Sequence, residues 1–414
     1  MNLTTSKTST LSVGGTFGSL KDLRIIDLTQ MLAGPFGTMM LADHGAVVIK
    51  VEPPEGDVTR GFHMYREDDS EQVLGGYFQS LGRNKESVVL DLKTEKGTAA
   101  FKMLVRDADA VVENFRAGVM ERLGLSYETL CGINPRLVYG ALRGFGDSRT
   151  GASPYCDWPA FDVVAQAMGG IMAITGPDAN TPMKVGPGVG DIIPGMFLAF
   201  GVLAAIHNAR RTGRGQFVDV AMTDSILAVC ERALVQNSIH GLIPAPEGNH
   251  HPYLCPFGLF PAKDGLVSIA ATKDEFFAVV CKALDAPELM QDERFVSRAL
   301  RGTHRHALIP LLNAKTIKFS KAEMMALLGG RIPFGPVMNV AEAIADPHFA
   351  AREMIVEVEQ PGSTPIRIAG VPVKMTDTPG GVHRRSPILG EHSALRLAEV
   401  GLTPAQIAEL TERK

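Results

Sequence analysis

The feature that most constrains the fold of this chain is a repeated alternation of short, β-branched apolar runs with helix-like segments. The alternation occupies much of the first 150 residues. It runs through "LRIIDLTQ" (23–30), "AGPFGTMMLADHGA" (33–46), "VVIKVEPP" (47–54), "SVVLDLK" (87–93), "TEKGTAAFKMLVRDA" (94–108), "DAVVENF" (109–115) and "RLVYGALRGFG" (136–146). Strands that alternate with helices in this way form a parallel sheet covered on both faces. The sequence therefore predicts an α/β protein with a Rossmann-like, mostly parallel sheet.

The remaining segments predict four parts along the chain. Residues 1–20 are rich in Ser, Thr and Gly and are predicted to form a flexible tail, and residues 21–225 form the first part of a large domain. Residues 226–335 are predicted to be a linker and a smaller α+β domain, and a loop rich in Pro and Gly, "IPAPEGNHHPYLCPFG" (243–258), opens that domain. Residues 336–414 are expected to return to the large domain.

Charge and cysteine usage exclude several classes of function. The formal net charge is −4, which gives no overall positive field for nucleic acid or anionic lipid. The five cysteines are widely spaced, so neither a disulfide framework nor a zinc site is predicted, and a cytoplasmic location is expected. The longest apolar run, residues 192–206, is too short to cross a bilayer and is predicted to be a buried helix.

A parallel sheet binds its ligands at the carboxyl ends of its strands, which directs attention to the polar residues there. No G-x-G-x-x-G follows the first strand, so a nicotinamide cofactor is not supported. The acids that compete for a chemical role are Asp27, Glu52, Asp162 and Asp191. The basic residues near strand ends, several of which could bind a diphosphate or a 3′-phosphate, are Arg60, Arg83, Lys85, Lys93, Arg116, Arg122 and Arg143.

Asp191 stands between a glycine-rich loop and a long apolar segment and allows two compatible interpretations. It could cap the following helix, which would hold its carboxylate ionised. The same carboxylate could attack an activated carbonyl and form an anhydride, with Gly188 and Gly190 leaving room for a bulky acyl group. His250 and His251 lie in a Gly/Pro-rich loop without further ligands at a suitable spacing, so no metal site is predicted.

Several stretches in this order resemble the family III CoA-transferases, also called the CaiB/BaiF family, over nearly the whole chain from residue 20. They are "LRIIDLTQMLAGPFGTMMLADHGAVVIKVEPPEGDVTR", "NKESVVLDLK", "DAVVENFRAGVMERLGLSYETLCGINPRLVYGALRGFG", "FDVVAQAMGG", "GDIIPGMFLAFGVLAAIHNARRTGRGQFVDVAMTD", "GPVMNVAEAIADPHF" and "SPILGEH". The resemblance implies that Asp191 is a nucleophile that carries an acyl anhydride and then a CoA thioester. It also implies an interlocked homodimer, with coenzyme A and acyl-CoA as substrates and no tightly bound cofactor.

The resemblance carries over coenzyme A contacts to positions at the predicted strand ends. These are Leu32, Ala33, Leu90, Asp91, Leu92, Lys93, Asn114, Phe115, Arg116 and Arg122. Pro53 follows Glu52 where some members have Arg, so Arg60 is considered as a substitute. The family's glycine loop in the small domain corresponds here to Gly248, Asn249 and His250.

Two other functions remain open from the sequence. An α-methylacyl-CoA racemase resembles this chain too, but Phe161 stands where the racemases carry their proton-accepting His, and phenylalanine accepts no proton. A non-catalytic CoA-binding subunit that pairs with a catalytic paralogue is the other alternative. The predicted acceptor is a small carboxylic acid, with a preference for dicarboxylates whose distal carboxylate would meet His250, His251 or Arg143.

Overall fold

A computed structural model describes residues 17–62 and 64–411. The chain folds into two compact units. The large unit contains residues 17–171, 185–232 and 348–411, and the small unit contains residues 172–184 and 233–347. Of the predicted tail, residues 1–16 lie outside the described part, and the amide of Leu20 donates a hydrogen bond to the carbonyl of His44.

The strands and helices follow one another in an order that keeps β-α alternation through the first half of the chain. The strands in the described residues are β1 (Arg24–Asp27), β2 (Val47–Glu52), β3 (Glu86–Val89), β4 (Ala110–Glu113), β5 (Val138–Arg143), β6 (Phe217–Ala221), β7 (Phe257–Ala262), β8 (Gly265–Ala270), β9 (Phe334–Pro336), β10 (Ile355–Val358) and β11 (Ile366–Ala369). The α-helices there are α1 (Ala33–Asp43), α2 (Gly76–Gly82), α3 (Glu95–Val105), α4 (Val119–Arg122), α5 (Tyr127–Ile133), α6 (Asp162–Met168), α7 (Val189–Thr212), α8 (Met222–Val229), α9 (Glu231–His240), α10 (Asp274–Ala283), α11 (Glu288–Gln291), α12 (Arg298–Thr303), α13 (Arg305–Thr316), α14 (Lys321–Leu328), α15 (Val340–Ala345), α16 (Pro347–Ala351), α17 (Ser393–Glu399) and α18 (Pro404–Thr411).

The large unit is built on a six-stranded sheet in the order β3-β2-β1-β4-β5-β6, with every neighbouring pair parallel. This is the strand order of a doubly wound nucleotide-binding fold. The predicted fold class, a Rossmann-like parallel sheet with a smaller α+β unit, is confirmed. Because all strands run the same way, their carboxyl ends share one edge of the sheet.

Apolar side chains on both faces of the sheet explain why β1 to β5 are buried throughout, whereas the edge strand β6 is only partly buried. Successive residues of a strand point to opposite faces, so Ile25 and Ile26 enter different cores. On one face α3, α17 and α18 pack on the sheet, and on the other face α1, α6, α7 and α8 do so. The small unit has its own core around Phe260, Ile269 and Phe277, under the antiparallel strands β7, β8 and β9.

Helix α7 is the longest helix of the described residues and packs closely on α1. By length and composition alone it could span a membrane, but it lies against the central sheet, and Leu198, Val202 and Ile206 belong to the core. A Cβ atom added at Gly195 would lie 2.4 Å from the carbonyl oxygen of Ala33. One added at Gly37 would lie 2.5 Å from that of Gly195. Glycine at both positions therefore lets the two backbones approach.

Candidate active site

A cavity of about 570 Å³ opens at the carboxyl edge of the sheet, entirely within the large unit. The loops after β1, β4 and β5, together with α2, α7 and α8, supply most of its wall. The residues that line it are Gln30, Met31, Leu32, Ala33, Val58, Phe62, Tyr77, Asn114, Phe115, Arg116, Ala117, Leu142, Arg143, Gly144, Cys156, Asp157, Trp158, Pro159, Ala160, Phe161, Asp191 and Met222. The edge chosen from the sequence is thus the edge that carries the cavity.

Asp191 faces this cavity from the first turn of α7. It is the third residue of the helix, and the N-cap is Gly188, which has no side chain to offer. The expectation that Asp191 caps the helix is therefore wrong. Its carboxylate makes no hydrogen bond to any of the residues that the structure describes, and it is half-buried. This leaves both carboxylate oxygens available to a ligand.

The electrostatic setting of Asp191 also differs from the expectation that it is held ionised. Burial raises the pKa of Asp191 to about 7, and the neighbouring charge of Asp162 adds to the shift. A helix N-terminus stabilises a carboxylate by typically about 0.3–1 kcal/mol, which is less than the 1.36 kcal/mol that corresponds to one pKa unit. Desolvation and a like charge therefore outweigh the helix terminus. The carboxylate is consequently more basic than an exposed aspartate.

Gly190 does not leave room for an acyl group, contrary to the sequence interpretation. A Cβ atom added there would lie 2.4 Å from the carbonyl oxygen of Asp162, and one added at Gly188 would lie 3.0 Å from Leu32 Cδ2. The space beside both glycines is therefore occupied by protein. They allow α6 and the loop after β1 to approach the start of α7.

The structure brings half of the predicted coenzyme A contacts into the same cavity as Asp191. Leu32, Ala33, Asn114, Phe115 and Arg116 line it. The side-chain amide of Asn114 is used internally, since it accepts from the amide of Gln30 and donates to its carbonyl, each at 2.8 Å. Asn114 therefore joins the loops after β1 and β4, and these two bonds use one N–H and one oxygen lone pair of its side-chain amide.

The other predicted contacts lie outside the lining of this cavity. Leu90 is buried in the sheet core, and Asp91 accepts the amide of Lys93 in the turn after β3. Leu92 packs against the same core, and Arg122 is the exposed last residue of α4. Because β3 is an outer strand of the sheet, residues 90–93 lie farther along the carboxyl edge than Asp191 does.

The basic residues singled out from the sequence fall into two groups. Arg60, Arg83, Lys85 and Arg143 are buried and form ion pairs with Glu52, Asp43, Asp27 and Glu113, respectively. Arg60 therefore does not replace a phosphate-binding arginine, and its guanidinium also stacks on Phe78. Of the seven, Lys93, Arg116 and Arg122 are exposed and pair with no acid among the residues that the structure describes. They are the ones left to meet a phosphate.

The competing acids also have partners. Asp27 accepts hydrogen bonds from Thr29, Thr38 and Lys85, and Glu52 binds Arg60 and Ser87. Arg143 lines the cavity, but its guanidinium is already bound by the carboxylates of Glu113 and Asp147. Among the four acids considered from the sequence, Asp191 alone lines the cavity.

Several residues at the site escape the sequence analysis. Tyr77 is on α2, and the sequence pattern predicts no helix between residues 54 and 86. Burial and the charges of Asp191, Asp57 and Asp162 raise the pKa of Tyr77, so its phenol stays neutral beside the cavity. Trp158 and Cys156 lie in a stretch of sequence that has neither helical nor strand periodicity. Only a comparison with a relative in which the equivalent loop contacts a ligand would identify them from the sequence.

The predicted substrate loop lies in the small unit, where it is held by backbone contacts. The amide of Gly248 donates to the carbonyl of Gly176, and His250 forms a β-bridge with Gly258. Gly248 has a φ of 72°, a conformation that favours glycine. Its role toward a substrate stays a prediction. Within the described residues, no cluster of His, Cys, Asp and Glu is arranged to hold a metal ion.

The doubly wound sheet, with a cavity at its carboxyl edge and the half-buried Asp191 in the wall of that cavity, defines an α/β enzyme with a nucleotide-binding type of fold. Residues 20–393 match the model of CoA-transferase family III, and the chain belongs to that family. It is similar to the succinyl-CoA:mesaconate CoA-transferase of Haloarcula hispanica, with 47% identity over 93% of this chain and 97% of that protein. The succinate–glutarate CoA-transferase of Agrobacterium fabrum is 38% identical over 92% and 95% of the two chains. A crystal structure of a CaiB/BaiF family protein from Brucella suis superposes with a TM-score of 0.84 at 35% identity, covering 93% of this chain and all of that one.

Proposed function

We propose that this enzyme moves coenzyme A from a dicarboxylic acyl-CoA to a second small dicarboxylic acid through covalent intermediates on Asp191. The observation that carries the proposal is the position of Asp191, which is unpartnered among the described residues and faces the cavity lined by Leu32, Ala33 and Arg116. The names of the relatives, which act on succinyl-CoA with mesaconate or on succinate with glutarate, support the substrate class.

The proposed reaction begins when a carboxylate oxygen of Asp191 attacks the thioester carbon of the donor. The carbon–sulfur bond breaks, coenzyme A leaves as a thiolate, and an anhydride joins Asp191 to the donor acid. The thiolate then attacks the Asp191 acyl carbon and releases the donor acid as a carboxylate. The product of these two steps is an aspartyl-CoA thioester.

The acceptor acid completes the cycle by the same two steps in reverse. Its carboxylate attacks the aspartyl thioester, which gives a second anhydride and frees the thiolate. The thiolate attacks the acceptor's acyl carbon, so the new acyl-CoA forms and Asp191 leaves as a carboxylate. No electrons or net protons are transferred. Because water would hydrolyse each anhydride, a half-buried position for Asp191 suits the chemistry.

The experiment that tests this proposal follows coenzyme A exchange between succinyl-CoA and a panel of free acids, with wild type and Asp191→Asn. We expect the substitution to abolish exchange while leaving acyl-CoA binding measurable by calorimetry. Hydroxylamine added to wild type with succinyl-CoA should modify Asp191, as located by peptide mass spectrometry. Exchange that survives in Asp191→Asn, or label on another acid, would remove Asp191 from the mechanism.

The racemase alternative is disfavoured by Phe161. This side chain is 63% exposed and lines the cavity beside Asp162, so no imidazole stands there to remove an α-proton. A non-catalytic role predicts no exchange with any acid, and the same assay distinguishes it. The cytoplasmic location stays a prediction.

We further propose that the protein is a homodimer. Met196, Phe197 and Phe200 on α7 expose large apolar side chains, with Phe200 73% exposed. A soluble chain gains stability by covering such a face. Light scattering should give about twice the chain mass of 44.4 kDa.

A further inference from the structure

Gln166 is a buried amide on α6 that no step of the proposed reaction uses. Its side chain is fully buried, and its amide nitrogen donates to both carboxylate oxygens of Asp162, at 2.9 and 3.0 Å. Its carbonyl oxygen accepts the backbone amide of Val185 at 2.8 Å. One side chain thus joins Asp162 to the beginning of the glycine-rich loop that leads to Asp191.

Asp162 holds the other end of the same loop. Its Oδ1 accepts the backbone amide of Gly190 at 2.8 Å. The first amides of a helix have no partner within the helix, and the N-cap residue Gly188 provides none through a side chain. Helix α6 therefore supplies the cap of α7. The capped backbone amide belongs to Gly190, the residue that precedes Asp191.

We propose that Gln166 is a positioning residue for Asp191, acting through Asp162 and Val185; this rests on the proposed function of Asp191 as the nucleophile. Val185 and Gly190 are the two ends of the loop "VGPGVG", and glycine-rich backbone is flexible unless it is tied. The hydrogen bonds of Gln166 and Asp162 tie both ends. An attacking oxygen must lie about 3–3.5 Å from the carbonyl carbon, and a misplacement of about 1 Å can reduce the rate about 100-fold.

The titratable groups that face Asp191 determine how a substitution at Gln166 changes the electrostatic environment of Asp191. Asp162 faces it from α6 and Tyr77 from α2. Replacing Gln166 by Glu keeps the acceptor for Val185 but removes the donor to Asp162. The new carboxyl can donate to Asp162 only when it is protonated. The activity of Gln166→Glu relative to wild type, reduced at high pH, should therefore recover as the pH falls.

The test compares Gln166→Leu and Gln166→Glu with Gln79→Leu. Gln79 is a matched control because it is equally buried and also makes three hydrogen bonds, to Glu359, Gln360 and Ser386. We expect Gln166→Leu to lower kcat at least about tenfold, with the KM for succinyl-CoA changed less than twofold, and to lower the yield of hydroxylamine-trapped Asp191. Gln79→Leu should lower the Tm similarly but leave kcat and trapping unchanged.

The outcomes separate this proposal from the proposed function. If Gln166→Leu keeps kcat and trapping within twofold of wild type while its Tm falls as in Gln79→Leu, Gln166 has only a structural role. If Gln166→Leu does not fold, the ratio of Gln166→Glu to wild-type kcat decides: a rise from pH 8 to pH 6 supports the proposal, and a flat ratio overturns it. Label on an acid other than Asp191 in wild type would instead overturn the proposed function.

Discussion

At the scale of single residues, the raised pKa of Asp191 makes the rate of transfer depend on pH. The proposed nucleophile is the carboxylate, and burial together with Asp162 places its pKa at about 7. We expect kcat/KM to fall about tenfold per pH unit below that value, as for any reaction that needs the deprotonated group. Steady-state rates between pH 5 and pH 9 check this. Asp162→Asn removes the like charge and should move the acid limb to lower pH, whereas a flat profile would contradict the assignment.

The raised pKa of Asp191 should also lower the free energy of unfolding of the protein at neutral pH. A carboxyl whose pKa is higher in the folded protein than in the unfolded chain destabilises the fold once the pH exceeds the unfolded value, about 4. The cost grows until the pH passes the folded value of about 7. Asp191→Asn carries no charge, so its Tm gain over wild type should be larger at pH 8 than at pH 5. Calorimetry at the two pH values measures this, and a change of Tm that is the same at both would contradict it.

Sequence reasoning finds Asp191 but cannot describe its surroundings. The acid is visible as the single carboxylate between a glycine-rich loop and an apolar segment, and the family resemblance assigns it a role. The contact between Asp162 and Gly190 joins residues 28 positions apart, and no local spacing predicts it. The raised pKa of Asp191 depends on its burial and on the nearby charge of Asp162, and the function of Gly190 depends on its close approach to Asp162. Both expectations, an ionised carboxylate and free space beside Gly190, are therefore wrong, while the role of Asp191 stays a prediction.

At the scale of elements, the packing of α7 on α1 connects Asp191, the proposed nucleophile, to the part of the cavity wall that Leu32 and Ala33 form. Gly195→Ala would place a Cβ atom 2.4 Å from the carbonyl oxygen of Ala33, which follows Leu32 at the cavity wall. Because both atoms belong to rigid helices, the helices must separate. We expect a loss of stability of about 1–3 kcal/mol, as for other overpacked cores, together with a lower kcat.

The matched control for this prediction is Gly132→Ala. Gly132 lies in α5, and a Cβ atom there would contact nothing within 4 Å. Alanine should therefore stabilise the protein by about 0.5–1 kcal/mol and leave kcat unchanged. Urea denaturation and steady-state kinetics of the two variants provide the comparison. If both substitutions changed the free energy of unfolding and kcat equally, the close approach of α1 and α7 would contribute to neither.

The elements that the sequence predicts well are those whose apolar residues follow a clear pattern. The runs around β1, β2, β4 and β5 are apolar on both faces of the sheet, and each is found within the predicted segment. Helix α2 is missed because it is short, begins with Gly76 and ends with Gly82, and its helical state depends on tertiary contacts such as that between Phe78 and Arg60. Since α2 carries Tyr77, one missed element also removes a residue from the predicted site.

At the scale of the whole molecule, the parallel sheet follows from the sequence, while the choice of cations does not. Seven basic residues near strand ends look equivalent in the sequence. The structure separates them because four meet buried acids that come from distant positions, such as Lys85 with Asp27 and Arg83 with Asp43. A buried cation without a partner would be too costly, so these pairs are fixed by the fold. The exposed cations are identified only after the pairs are known.

Selectivity for dicarboxylic acids is the prediction that concerns the molecule as a whole. Relatives that transfer coenzyme A between dicarboxylic acids match more than nine-tenths of this chain. A site built to bind a second carboxylate rejects an acid that lacks it, because its polar groups lose their partner on binding. With succinyl-CoA as donor, glutarate and pentanoate form a matched pair of equal chain length. We expect kcat/KM for glutarate to exceed that for pentanoate by at least about 100-fold. Comparable values for the two acids, measured under the same conditions, would mean that this enzyme reads only the reacting carboxylate and that its acceptors are not defined by a second charge.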